Sequence, residues 1–256
     1  MPNNRPAVAA LALFLMLAVV GSTTAGGFPF PGYQFMSFDN GQPPPGWTLW
    51  GTGPYGIQNG DLWAGTVDGN LHLDLRGSWP SDVDPLTATL WIKGDVNLGT
   101  TYWGMSAGVW LFALPDTAWG SPNWNVDGGT CQCAPSSGCP YGPGDAVTIF
   151  NPAGVLAASQ VPEEVGKFTF VWEFKEGHMA TWVYRFTDGS LVMSTEASDP
   201  TFHLGSLARI DYWIHTTTQN PITTDYLEFS ICPPGPCALP SPARATSWGA
   251  IKAIYR

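Results

Sequence analysis

Cationic residues are scarce in this chain: ten Lys and Arg stand against twenty Asp and Glu, for a formal net charge of −10. Such a surface repels a phosphate backbone, which excludes nucleic acid as a partner and an anionic membrane surface with it. No apolar run reaches the roughly 20 residues that a membrane-spanning helix requires. The four histidines, His72, His178, His203 and His215, are scattered. No Gly-x-Ser-x-Gly elbow presents a nucleophile and no glycine loop cradles a phosphate, so serine-hydrolase and nucleotide chemistry are set aside. Charge of either sign is also thin, at 12% of residues, whereas 44% are hydrophobic and 13 are Trp. A chain of this composition can bury enough apolar surface to offset the entropy of ordering it.

The longest apolar stretch runs uncharged from Ala7 to Val20, preceded by Arg5 and followed by small residues at Thr23 and Ala25. At 14 residues it is too short to cross a bilayer and has the length of the hydrophobic core of a secretory signal. Cleavage is expected after Ala25, with Gly26 as the alternative, leaving a mature protein with no membrane span. The expected location is secreted, extracellular or at the cell surface. About 230 residues remain, a length that one β-sandwich can fill.

Five cysteines fall into two groups, Cys131, Cys133 and Cys139, then Cys232 and Cys237. In an oxidising compartment they read as disulfides. Pro233, Pro234, Gly235 and Pro236 form a stiff turn that brings Cys232 toward Cys237. Cys139 pairs with Cys131 or Cys133, and one thiol is left over. A zinc site in the first group would lack both a nearby His and a second CxxC pair.

Gly and Pro, 30 and 24 in number, punctuate the chain at intervals of about 8 to 15 residues, as in an all-β sandwich. Between them, apolar and polar residues alternate. Leu71, Leu73 and Leu75 oppose His72, Asp74 and Arg76, and Leu86, Ala88, Leu90 and Ile92 repeat the pattern. Phe168, Phe170, Trp172 and Phe174 share a face. A turn over Glu176–His178 then leads to a returning strand whose inward side is read as Ala180, Trp182, Tyr184 and Phe186. Asp188 and Gly189 turn the chain into Leu191–Ser194, and two last strands are expected over Arg209–Thr216 and Asp225–Cys232. Pro115–Gly144 reads as a long irregular excursion. The domain is expected to span residues 26–237, followed by a linker over 238–246. The tail at 247–256 suits a sorting or attachment signal.

Phe38, Asp39, Asn40 and Gly41, then Pro45, Gly46, Trp47 and Thr48, then Ile57, Asn59 and Gly60, resemble the opening of concanavalin A-like and carbohydrate-binding jelly-roll modules. Asp225, Tyr226, Leu227, Glu228 and Phe229 are similar to the last strand of such modules, which pairs beside the first. The resemblance implies an antiparallel all-β sandwich of jelly-roll type that binds a glycan or another cell-surface component. It also brings Asp39 near Asp225, where calcium is the cofactor to expect.

Sugar recognition uses flat aromatic faces beside a few polar groups. Trp79, Trp119, Trp124 and Tyr141 are the candidates, while Trp110, Trp172 and Trp182 are assigned to the core. A glycoside hydrolase or lyase on the same scaffold would draw on Glu173 and Glu228 as its carboxylate pair. The Glu-x-Asp-x-x-Glu cluster of laminarinase-like enzymes is absent. The remaining reading is a structural surface protein without a small ligand.

Overall fold

Strands that alternate apolar and polar residues bury one face and leave the other free, and two such sheets must stack to hide their apolar sides. A computed structural model of the chain describes Phe28 and residues 32–65, 69–99, 105–114, 122–131, 144–161, 165–216 and 220–232. In chain order the strands are β1 (Gly32–Ser37), β2 (Trp47–Thr52), β3 (Tyr55–Gln58), β4 (Asp61–Ala64), β5 (Gly69–Arg76), β6 (Thr89–Asn97) and β7 (Met105–Ala113). They continue as β8 (Asn123–Cys131), β9 (Gly144–Asn151), β10 (Gly154–Val161), β11 (Lys167–Lys175), β12 (His178–Arg185), β13 (Leu191–Ser198), β14 (Leu207–Thr216) and β15 (Ile222–Cys232).

All described pairings are antiparallel. One sheet of eight strands runs β13-β12-β11-β6-β15-β4-β3, with β1 also on β15; the other, of seven, runs β10-β9-β8-β7-β14-β5-β2. The expected all-β jelly-roll sandwich is therefore what the chain forms. First and last strands pair as expected, Ser37 opposite Tyr226 and Gly32 opposite Ile231. The β3–β4 hairpin closes through Asn59 and Gly60, both at positive φ (55° and 83°), as a two-residue primed turn requires.

The core lies between the sheets. Leu71, Leu73 and Leu75 of β5 and Ile210, Tyr212 and Ile214 of β14 meet Leu90 and Ile92 of β6, Phe170, Trp172 and Phe174 of β11, and Leu227, Phe229 and Ile231 of β15. Edge-to-face pairs stitch the layers, with Trp172 on Tyr212 at 5.9 Å and Trp47 on Phe229 at 5.8 Å between ring centroids. The Tyr212 hydroxyl meets Thr224 Oγ1 across the gap at 2.5 Å. Each large apolar side chain buried this way contributes about 1.5 to 3 kcal/mol.

Four sequence expectations need correction. Leu86 is 71% exposed in a turn before β6, so the alternating pattern begins only at Ala88. The segment taken as an irregular excursion contains strand β8, in which Trp124 and Val126 point inward between Asn125 and Asp127. The turn after β11 has two residues, Glu176 and Gly177, because Lys175 pairs with His178. That shifts β12 by one relative to the expectation: Met179 and Val183 enter the core, and Trp182 and Tyr184 face outward. Trp110 is likewise outside the core, between the inward-facing Val109 and Leu111. Residues 1–25, 238–246 and 247–256, read as signal, linker and tail, lie outside the described residues. No helix among the described residues is long and apolar enough to cross a membrane.

Candidate functional site

Two of the four candidate ligand-binding aromatics prove to be core residues. Trp79 is 8% exposed and donates its indole N–H to Val83 O at 2.8 Å. Trp124, 4% exposed, packs on Phe202 and donates to Asp199 Oδ2 at 2.9 Å. Burial opposes ionisation of Asp199, but hydrogen bonds from Thr201, Trp124 and Asn151 outweigh it and hold the carboxyl down at about 2. Both indoles have the burial and the satisfied N–H of structural tryptophans. Trp119 and Tyr141 lie outside the described residues.

Asp39 sits in the exposed turn after β1 and accepts a hydrogen bond from Ser37 Oγ at 2.6 Å. Asp225 is held by Lys167 Nζ at 3.2 Å. Among the described residues no three His, Cys, Asp or Glu side chains come together as a metal site. No free cysteine occurs among them either. Cys232 is buried beside Ser230 Oγ, while Cys237, Cys133, Cys139 and the Cys131 side chain lie outside the described residues.

Glu173 and Glu228 do share the outer face of the eight-stranded sheet, with β6 between their strands. Their pairings, to Trp91 and Lys93, are offset by two residues, which puts the two backbones about 12 Å apart. Each carboxylate is turned to its own lysine. Glu173 Oε1 meets Lys175 Nζ at 2.7 Å, and Glu228 Oε1 meets the fully buried Lys93 Nζ at 3.0 Å. On the same face Asp95, 1% exposed, accepts from Thr169 Oγ1 at 2.7 Å, and burial raises its carboxyl above the ordinary range. Trp91 and Trp182 stack above these pairs with centroids 6.0 Å apart.

The outer face of the seven-stranded sheet is built differently. Strand pairing aligns Trp50 of β2, His72 of β5, Trp213 of β14, Gly108 of β7, Asp127 of β8 and Thr148 of β9 in one row across the strands. A parallel row holds Thr48, Asp74, Asp211, Trp110, Asn125 and Phe150. Beyond it lie Arg76, Arg209, Phe112 and Asn123. Every one of these side chains is displaced by one residue from a core position, so the alternation that builds the core also builds this face.

Aromatic rings tile it. Trp50 stacks flat on His72 at 3.9 Å with 5° between planes, and Trp110 stands edge-on to Trp213 at 5.9 Å. All three indoles are half-buried. Beneath Trp50, His72 Nδ1 lies 3.1 and 3.0 Å from the two carboxylate oxygens of Asp211, which is 0% exposed. Burial raises the Asp211 carboxyl, against the lowering effect of that histidine. Arg209 caps the Phe112 ring at 3.6 Å, a cation–π contact.

Gly108 makes the closest approach on the face. A Cβ placed there would stand 2.8 Å from Trp213 Nε1 and 2.8 Å from Asp127 Cβ, so the indole edge and the Asp127 side chain fill the space over β7 and only glycine fits beneath them. Burial pushes the Asp127 carboxyl up to about 7, against the hydrogen bond donated by Asn125 Nδ2 at 3.3 Å. Trp213 Nε1 and Asn125 Oδ1 are buried and meet no hydrogen-bond partner. Trp47 and Trp172 also have unpartnered indole N–H groups, but those are enclosed between the sheets, at 6% and 0% exposure.

No protein-family model and no curated protein matches the chain. Solved structures do. A lectin from Bauhinia forficata in complex with GalNAc superposes with a TM-score of 0.58 at 9% identity, covering 79% of this chain and 100% of the lectin. Lectin II from Ulex europaeus gives 0.58 at 12% identity, covering 78% and 98%. The CBM2 module of the evolved Dit of Lactobacillus casei BL23 phage J-1 gives 0.53 at 13% identity, covering 77% and 96%. At such identities the likeness establishes the sandwich fold and leaves the ligand to be argued from the site.

Proposed function

We propose that this chain is a secreted, non-catalytic carbohydrate-binding protein whose sugar-binding surface is the outer face of the seven-stranded sheet. One observation carries the reading: Trp50, Trp110 and Trp213, all half-buried, share one face with the ionisable groups of His72, Asp211 and Asp127. Sugar rings present apolar C–H faces with polar edges, and indole planes flanked by hydrogen-bonding groups complement both. Two neighbours in fold, a lectin solved with GalNAc and a CBM2 module, add support. Fold likeness alone would be a weak argument. Action outside the cell rests on the export signal read at residues 1–25 and on the disulfides expected of the five cysteines.

The test is affinity electrophoresis of the full chain through gels containing single polysaccharides. Retardation by at least one polysaccharide, abolished in Trp110→Ala and Trp213→Ala, is the expected result. Unretarded wild type across a broad panel, or variants retarded as strongly as wild type, would overturn the reading.

A further inference from the structure

Lys93 stands on the outer face of the eight-stranded sheet and yet is 0% exposed. Its direct partner across the strands is Glu228 of β15. The same row continues to Val171 of β11 on one side and to Phe35 of β1 on the other. Lys93 Nζ and Glu228 Oε1 are 3.0 Å apart, and the centre of the Tyr226 ring lies 5.6 Å from the same Nζ. We propose that this pair is a modification site, at which Lys93 and Glu228 condense to an amide that joins β6 to β15 covalently. The cross-link stands apart from carbohydrate binding, which belongs to the other sheet.

Enclosure makes the step favourable. An ammonium carries three N–H donors, and among the described residues Lys93 Nζ donates to one acceptor. Transfer of a proton from Nζ to Glu228 along that hydrogen bond turns two buried ions into an amine and an acid, which removes the cost of keeping charge out of water. The Nζ lone pair then attacks Glu228 Cδ. The N–Cδ bond forms, one Cδ–O bond breaks, and that oxygen departs as water with the acid's proton and one more proton from Nζ. Nothing is oxidised or reduced, and no co-reactant is required. The amide left behind has one N–H, one C=O and no charge. Val171 and Tyr226, both 4% exposed, keep out the water that would reverse the step. Asp95, two residues along β6 on the same face and 1% exposed, is the group that relays the proton leaving Nζ. Burial raises its carboxyl above the ordinary range, against the lowering effects of the Thr169 hydroxyl, Lys167 and Lys93. A carboxyl so raised takes up and returns a proton readily. The bond also has a mechanical consequence. β15 leads the chain out toward residues 233–256, so a load applied there enters the sandwich through β15 and passes covalently to β6, in the middle of the sheet.

The experiment is mass spectrometry of the full chain, purified folded and then reduced and denatured. Expected is an intact mass one water below that of the sequence from the observed N-terminus, with a digest containing a branched peptide that joins the Lys93 and Glu228 segments. Glu228→Gln should lose ammonia in place of water, whereas Lys93→Arg and Glu228→Ala should lose neither. On a denaturing gel the wild type should run ahead of Lys93→Arg, because the amide ties together residues 135 positions apart. Asp95→Asn should form the link at least about tenfold more slowly. A wild type of full mass with no branched peptide, both fresh and after long incubation in the folded state, would overturn the proposal. So would a one-water loss that maps elsewhere or persists in Lys93→Arg. Equal rates of linkage in wild type and Asp95→Asn would overturn the part given to Asp95.

Discussion

The two outer faces of this sandwich are made of similar residues used in opposite ways. On the eight-stranded sheet, charged side chains are closed into pairs: Lys93 with Glu228, Lys175 with Glu173, Lys167 with Asp95 and Asp225. On the seven-stranded sheet, Arg76 with Asp74 and His72 with Asp211 are paired too, but a carboxyl raised by burial and half-buried indoles stand among them. Tryptophan on a sheet face therefore does not mark a binding site by itself; the flat stack of Trp50 on His72 and the edge-on pair of Trp110 and Trp213 distinguish the seven-stranded face.

The sharpest way to break the comparison is on the eight-stranded side. Lys93→Met leaves Glu228 buried without its counter-ion and is expected to cost about 3 to 5 kcal/mol in urea unfolding. Sugar affinity of the protein that remains folded should be unchanged; a tenfold loss would merge the two faces into one functional surface. Next in size, Trp110→Ala should weaken polysaccharide binding by about 10- to 100-fold, roughly 1.4 to 2.8 kcal/mol, read by titration calorimetry.

Asp127 supplies a pH signature. Its carboxyl is raised from 3.8 to about 7 in the folded chain, so both states are protonated below pH 4 and folding is unaffected there. As the pH climbs toward 7 the unfolded state releases its proton first, and the fold pays a penalty that is complete above pH 7. Asp127→Asn is expected to remove that penalty, raising stability at pH 8 by up to about 4 kcal/mol and leaving it nearly unchanged at pH 3.5. Thermal melts at the two pH values measure it, and an equal shift at both would contradict the assignment. The smallest effect expected is at Trp91 and Trp182, where substitution by Ala should move sugar affinity less than about twofold.

Much of the scaffold was legible from residues. The Phe168, Phe170, Trp172 and Phe174 alternation is a strand because nothing but period two accounts for it, and all four are core. Asn59 and Gly60, part of the resemblance to jelly-roll modules, turn the β3–β4 hairpin at positive φ. What failed did so through register. A turn read as three residues in place of two carried Trp182 to the wrong side of β12, and the Asn- and Gly-rich surroundings of Trp124 concealed β8.

The site was missed because it exists only after pairing. His72 and Asp211 are 139 residues apart in the chain and 3.0 Å apart in space. A signal was available. His72 and Asp74 alternate with Leu71, Leu73 and Leu75, and Asp211, Trp213 and His215 alternate with Ile210, Tyr212 and Ile214, so both strands present ionisable or aromatic groups opposite a clean core face.

Indole N–H resonances test the central claim most directly, since each tryptophan contributes one. Assigned by single substitutions and followed while a neutral polysaccharide is titrated into the full chain, those of Trp50, Trp110 and Trp213 should shift together, with Trp91 and Trp182 unmoved. Shifts at Trp91 and Trp182, with the three on the seven-stranded sheet unmoved, would contradict the account.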